Sequence, residues 1–236
     1  MRPISLTALT VATIAANLTG CAAHHVRINA YRSHDLAFPV SSSQPTPSIA
    51  VVAGSEPREP LLEAEVARKV GWLVRNLGYR AGDEATADFV LTVWVSIDNG
   101  ETETVLDTNY ASPHYGGSYV YTHGGRWTGL SSGGGRRTNQ LSYSYTYFTR
   151  SCWLTLYDRA MWQDASDQEV GEAAIWTCTS VSRGTSSDLR SMINFLLAGA
   201  FDHFGDDTGR ELRIGFNRND PHVAKIAATG HGEPPQ

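Results

Sequence analysis

Basic residues are in the minority: the 236-residue chain has 19 Lys and Arg against 24 Asp and Glu, a formal net charge of −5. Neutralising a phosphate backbone needs a Lys/Arg excess, so this balance argues against a nucleic-acid binder. Cysteine is scarce, three in all. No Cys-x-x-Cys occurs, and no His lies at ligand spacing from Cys152 or Cys178, which removes the usual zinc patterns. The eight His are scattered, with no His-x-x-x-His or His-Glu-x-x-His. Neither a phosphate loop ending in Gly-Lys-Ser/Thr nor a dinucleotide fingerprint is present. No cofactor or metal is therefore expected, and no catalytic constellation. What is present is enough apolar content, 41%, to bury a core.

The first 20 residues carry Arg2 as their single charge, followed by a run without ionisable groups. A positive start and an apolar stretch are the pattern of a signal peptide. Thr7, Thr10, Thr13 and Asn17 dilute the run below the roughly 20 strongly apolar residues that a membrane span needs. It ends in Leu18-Thr19-Gly20-Cys21, which resembles the lipobox of bacterial lipoproteins. Small residues there admit a peptidase, and the Cys21 thiol accepts the lipid. The resemblance implies a mature chain starting at Cys21, anchored by acyl chains (palmitate among them) on its sulfur and amine. Several chains anchor stably where one does not. Ala22, in place of Asp, leans towards the outer membrane, with the domain facing the periplasm. Residues 21–25, including His24-His25, read as a lipidated, solvated tether, and loss of Arg2 takes the charge to −6.

Residues 26–216 read as a single domain. His24–Arg32 alternates apolar and polar residues, as a half-buried strand does. Ile49–Ala53 is a short buried strand, and Leu62, Val66, Val70, Leu73 and Leu77 form one helical face that Gly78 terminates. Ala87–Asp98 is a strand rich in β-branched and aromatic residues. Ser151–Asp158 and Glu172–Ser180 read as two strands, and Ser187 as the cap of a helix over Asp188–Phe204. Glu211–Phe216 reads as an edge strand, and residues 217–236 as a disordered tail. Two amphipathic helices can cover one face of a mainly antiparallel sheet, a two-layer α+β sandwich.

With Cys21 set aside, Cys152 and Cys178 are a pair. If their strands pair about a turn centred on Ala165, Cys152 faces Cys178, Leu154 faces Trp176 and Leu156 faces Ala174. A disulfide there is expected outside the cytoplasm and would stabilise by about 3 kcal/mol.

Between Asp107 and Phe148 the composition changes: 8 of the 22 Gly and 7 of the 10 Tyr fall in these 42 residues. The segment reads as a mobile or hairpin-like excursion that returns to the sheet. Tyr143, Tyr145 and Tyr147 alternate and so share one strand face. Tyrosines are enriched at interfaces. Tyr110, Tyr115, Tyr119, Tyr121, Tyr143, Tyr145 and Tyr147 are therefore the candidate binding residues, for a glycan or an envelope protein. Gly129-Leu130-Ser131-Ser132-Gly133 matches G-x-S-x-G, but it lacks the flanking strand and helix that a nucleophile elbow needs.

Strand Ile49–Ala53, the helix ending Leu77-Gly78-Tyr79, the run Ala87-Asp88-Phe89-Val90-Leu91, Leu154–Asp158, Trp176, and a helix ending at Phe204 before Gly209 together resemble the lipoproteins grouped as domain of unknown function 4136. The resemblance spans about Val26 to Phe216 and implies a lipid-anchored envelope protein with no established catalytic residues. The expected function is a non-enzymatic interaction or scaffold module. The alternative is a glycan- or partner-binding module that uses the Tyr/Gly segment, and a hydrolase through Ser131 comes third.

Overall fold

The computed structural model describes residues 24–54, 60–110, 138–164 and 170–229. In chain order these form β1 (His24–Arg32), β2 (Ser48–Ala53), α1 (Pro60–Asn76), β3 (Arg80–Ala81), β4 (Phe89–Ile97), β5 (Glu101–Tyr110), β6 (Thr138–Asp158), α2 (Arg159–Asp164), β7 (Ala174–Gly184), α3 (Leu189–Phe201), β8 (Leu212–Phe216) and α4 (Pro221–Thr229). The fold is α+β, with four helices and an open, mixed, mostly antiparallel sheet ordered β3-β2-β4-β6-β7-β1-β8. Among the described residues only β2 with β3 and β2 with β4 run parallel, as the β2-α1-β3 crossover requires.

Alternation decides which side chains meet. Val26, Ile28 and Ala30 of β1, Leu91, Val93 and Val95 of β4, Cys152, Leu154 and Leu156 of β6, and Trp176 and Cys178 of β7 enter one core. Val66, Val70, Leu73 and Val74 of α1 enter the same core, with Met192, Ile193, Leu196, Leu197 and Ala200 of α3. Leu77 does not; it is 40% exposed, beyond the last turn. Helix α1 ends where Gly78 takes φ +90°, with its N–H donating to Arg75 O and the Tyr79 N–H to Val74 O. Both bonds satisfy last-turn carbonyls, and the left-handed residue between them favours glycine.

Strands β4 and β5 are successive parts of one path along β6. Ile97 pairs with Arg150 and Glu101 with Tyr147, so one extra residue is accommodated between them. That β-bulge falls at Asn99-Gly100, where Gly100 has φ +81°. Asp98 mends the ladder. Its N–H donates to Thr149 O, and its carboxylate accepts from Thr149 N at 2.9 Å and Gly100 N at 3.0 Å. Beyond the bulge, β5 and the first half of β6 form a two-stranded ribbon of ten register pairs.

Several expectations need correction. Cys152 and Cys178 do not face each other: Cys152 pairs with Ser180, Leu154 with Cys178 and Leu156 with Trp176. The two-residue difference arises because the connection contains α2, and β7 carries a bulge after Leu156 that takes up Ile175. A diagonal pair lies about 7–8 Å apart between Cα atoms, too far for a bridge without backbone movement. Both thiols are free and buried. The cap of α3 is Asp188, not Ser187; its carboxylate accepts from Ser191 N at 3.0 Å. His24 and His25 belong to β1 rather than to a tether, and the His24 ring lies 4.4 Å from that of Phe195. Residues 221–229 are helix α4, not disordered tail. Asp220 accepts from His222 N and Val223 N, Pro221 opens the helix, and Val223 and Ile226 are buried.

Candidate functional site

The residues that alternate away from the core give the sheet its chemical character. On β6 the odd-numbered positions include Tyr143, Tyr145, Tyr147, Trp153 and Tyr157. No irregularity interrupts β6 itself, so five aromatic residues follow one face of a single 21-residue strand. Across from Trp153 stands Trp94 of β4, its cross-strand partner, with ring centroids 5.5 Å apart. Trp94 is 49% exposed. Helix α2 brings Trp162 to stack on Tyr157, at 6.3 Å and 28°. Rings at these separations attract beyond their area burial by about 0.5–1.5 kcal/mol per pair, which fixes the surface before anything binds.

These rings border a cleft of about 680 Å³, with Val52, Gly54, Thr92 and Thr155 on its floor and Glu84 at its margin. The Thr92 hydroxyl donates to Thr155 O at 3.3 Å. The cleft offers flat apolar faces, hydroxyls and one carboxylate, a set suited to holding a ligand by stacking and hydrogen bonds.

On the ribbon, Tyr147, Tyr145 and Tyr143 oppose Glu101, Glu103 and Val105. Arg183 of β7 joins them. Its guanidinium lies 4.9 Å from the Tyr147 ring centre and pairs with Glu101 and Glu103. The other ribbon face is hydroxylic, with Thr102 bonded to Thr146 and Thr104 to Ser144, each at 3.1 Å. Tyr145 is 45% exposed and sits 6.4 Å from Tyr147.

No family model matches the chain, and no curated protein does. Among solved structures it is similar to a PDZ domain protein from Parabacteroides distasonis, at 11% identity and a TM-score of 0.40, over 90% of this chain and 48% of that one. The chain spans about half that protein's length, and so slight a likeness carries no argument.

Of the seven candidate tyrosines, Tyr143, Tyr145 and Tyr147 are brought together. Tyr110 closes β5 opposite Thr138. Tyr115, Tyr119, Tyr121, Ser131 and Cys21, the expected lipid acceptor, lie outside the described residues. Trp94, Trp153, Tyr157 and Trp162 were not singled out from the sequence. The signal was there: placing Cys152, Leu154 and Leu156 inward sends Trp153 and Tyr157 to the opposite face. Among the described residues no group of three His, Cys, Asp or Glu is placed to hold a metal, and no helix is long and apolar enough to cross a membrane.

Proposed function

We propose that the chain is a lipid-anchored envelope lipoprotein of the kind it resembles, domain of unknown function 4136, and that it acts by contact rather than by catalysis. The observation that carries this reading is the aromatic row along β6, joined by Trp94 and Trp162. In this reading α1 and α3 lie together over the core-facing side of the sheet as a two-layer sandwich, and the aromatic side meets the partner. Lipidated at Cys21 and facing the periplasm from the outer membrane, the chain would have only two residues, Ala22 and Ala23, between anchor and His24. Such a link spans at most about 11 Å, so the start of β1 would ride close to the lipid surface.

A Cys21→Ser chain should move to the soluble fraction and lose acyl labelling, and the pair Trp94→Ser, Trp153→Ser should stay anchored and folded but lose its envelope crosslinks. Membrane retention of unlabelled protein in both Cys21 forms overturns the anchor; unchanged crosslinks in the tryptophan pair overturn the surface.

A glycan is the second reading, favoured by the stacked Tyr157 and Trp162 beside the Thr92 and Thr155 side chains. Replacing Tyr143, Tyr145 and Tyr147 by Ser would then abolish cosedimentation with isolated peptidoglycan.

A further inference from the structure

The outer edge of the sheet is unfinished. Strand β3 has two residues and covers β2 only at Ser48 and Ile49. The direction of each backbone group follows from two hydrogen bonds. Gly54 N–H donates to Val93 O on β4, and Gly82 N–H donates to Ile49 O on the opposite side. Backbone groups alternate along a strand, so those of Val51 and Ala53 point to the outer edge. Among the described residues nothing bonds to them there. Unpaired N–H and C=O groups in a row are a template for another strand.

Beside this edge runs a groove of about 510 Å³ between β2 and α1, with Thr229 of α4 at its margin. Val51 and Trp72 supply apolar lining, and Arg68 and Arg75 stand along α1. None of the lining residues carries a carboxylate. Among the described residues neither arginine makes an ion pair. Gly71 lies between them, and a Cβ there would meet nothing within 4 Å. An interior helical glycine costs about 1 kcal/mol against alanine. Here no contact accounts for it, and its effect is to leave the groove open.

We infer that the β2 edge is a docking site for an extended acidic peptide segment of a partner protein, which adds a strand beside Val51 and Ala53 and sets carboxylates against Arg68 and Arg75. The backbone bonds supply the affinity and the arginines select the charge. Side chains facing α1 enter the groove, and the intervening ones fall beside Val52 on the other face. The site adjoins the Trp94–Trp153 cleft at Val52 but shares none of its rings.

The probe is a fluorescein-labelled peptide of alternating valine and glutamate, its control the valine–lysine counterpart, read by anisotropy on the full chain. The glutamate peptide should bind and the lysine peptide should not. Reversing Arg68 and Arg75 to Glu should weaken binding at least roughly tenfold, about 1.4 kcal/mol. Val51→Pro removes one outward N–H without touching the β4 ladder, and Gly71→Leu fills the groove while improving helix propensity; each should also weaken it. Two variants on separate elements keep the test valid if one misfolds. Equal binding of both peptides, no binding by the full chain, or indifference to all three changes overturns the inference. So does binding that appears only when the chain stops at Thr229, which would make its own C-terminal residues the occupant. A dimer abolished by Val51→Pro would likewise assign the edge to a second copy. Loss of peptide binding in the Trp94→Ser, Trp153→Ser pair would place the peptide on the aromatic face instead.

Discussion

Glu65→Gln should be among the most damaging single substitutions in the domain. Glu65 of α1 is 6% exposed, and its carboxylate accepts from Lys69 Nζ at 2.7 Å and from Arg190 Nε and Nη2 at 2.8 and 2.7 Å. Lys69 is buried more deeply still, at 1%. Both arginine bonds end on one oxygen, Oε2, and tie α3 to α1, but Arg190 is largely exposed, so losing it costs about 1 kcal/mol or less. Removing the Glu65 charge instead leaves the Lys69 ammonium buried without its counter-ion. Breaking a buried pair from one side costs about 3–5 kcal/mol. For a domain of this size that is a drop of roughly 10 °C in Tm. Lys69→Met should be milder, because it removes the buried cation and leaves Glu65 on Arg190. Urea unfolding followed by circular dichroism gives the numbers. The pH dependence supplies a second check. Burial raises the Glu65 pKa, but the Lys69 and Arg190 bonds outweigh it and hold the carboxyl below its usual range. The ionised form therefore stabilises fully above the unfolded value near pH 4.3, and the stabilisation is lost as pH falls through the lowered folded value. The deficit of Glu65→Gln should narrow over that acid window. A cost under 1 kcal/mol at neutral pH, or equal costs for Glu65→Gln and Lys69→Met, would refute this account.

Both buried thiols should resist alkylation in the native chain at pH 8 and react on unfolding, with no mass loss of a disulfide; burial pushes Cys152 up, and Cys178 up to about 12. Gly100→Ala should strip hydrogen-exchange protection from β5 and the facing half of β6 while sparing the core. A Cβ there would sit 2.7 Å from Thr146 Cγ2 at a φ that L residues disfavour by about 1–2 kcal/mol. Ile226→Ala should cost about 2–5 kcal/mol in urea unfolding, whereas a disordered tail would tolerate it without change.

Most strands and both long helices were legible because their apolar residues repeat with period 2 or 3.6 and those residues, Leu77 excepted, do face the core. What was missed has physical reasons. In β5, Glu101-Thr102-Glu103-Thr104 offers no apolar side, because a two-stranded ribbon buries neither face of it. Helix α4 is only nine residues long, although Asp220-Pro221 is a good cap and first position. A helical wheel puts Lys69 beside the apolar face of α1 and Glu65 at its margin, but single-sequence periodicity cannot show that a second helix will bring Arg190 over them. The cysteine register failed for a similar reason: α2 and the Ile175 bulge shift the pairing by two residues while keeping both cysteines on the core side, so the alternation was right and the partner wrong.

The bulge at Asn99-Gly100 ties these features together. Paired residues share a face, so the extra residue between Ile97 and Glu101 changes the parity on the β4–β5 path and leaves β6 unchanged. Trp94 is even-numbered and Glu101 odd-numbered, yet both stand beside odd-numbered residues of β6. Without that extra residue, one alternation would have set Thr102 and Thr104, not Glu101 and Glu103, beside the tyrosines. The acidic pair would then face away from Arg183, and the guanidinium over Tyr147 would have no counter-charge. One glycine with positive φ therefore decides whether the ribbon continues the aromatic side of the sheet with an ordered, charge-balanced surface or with a row of hydroxyls.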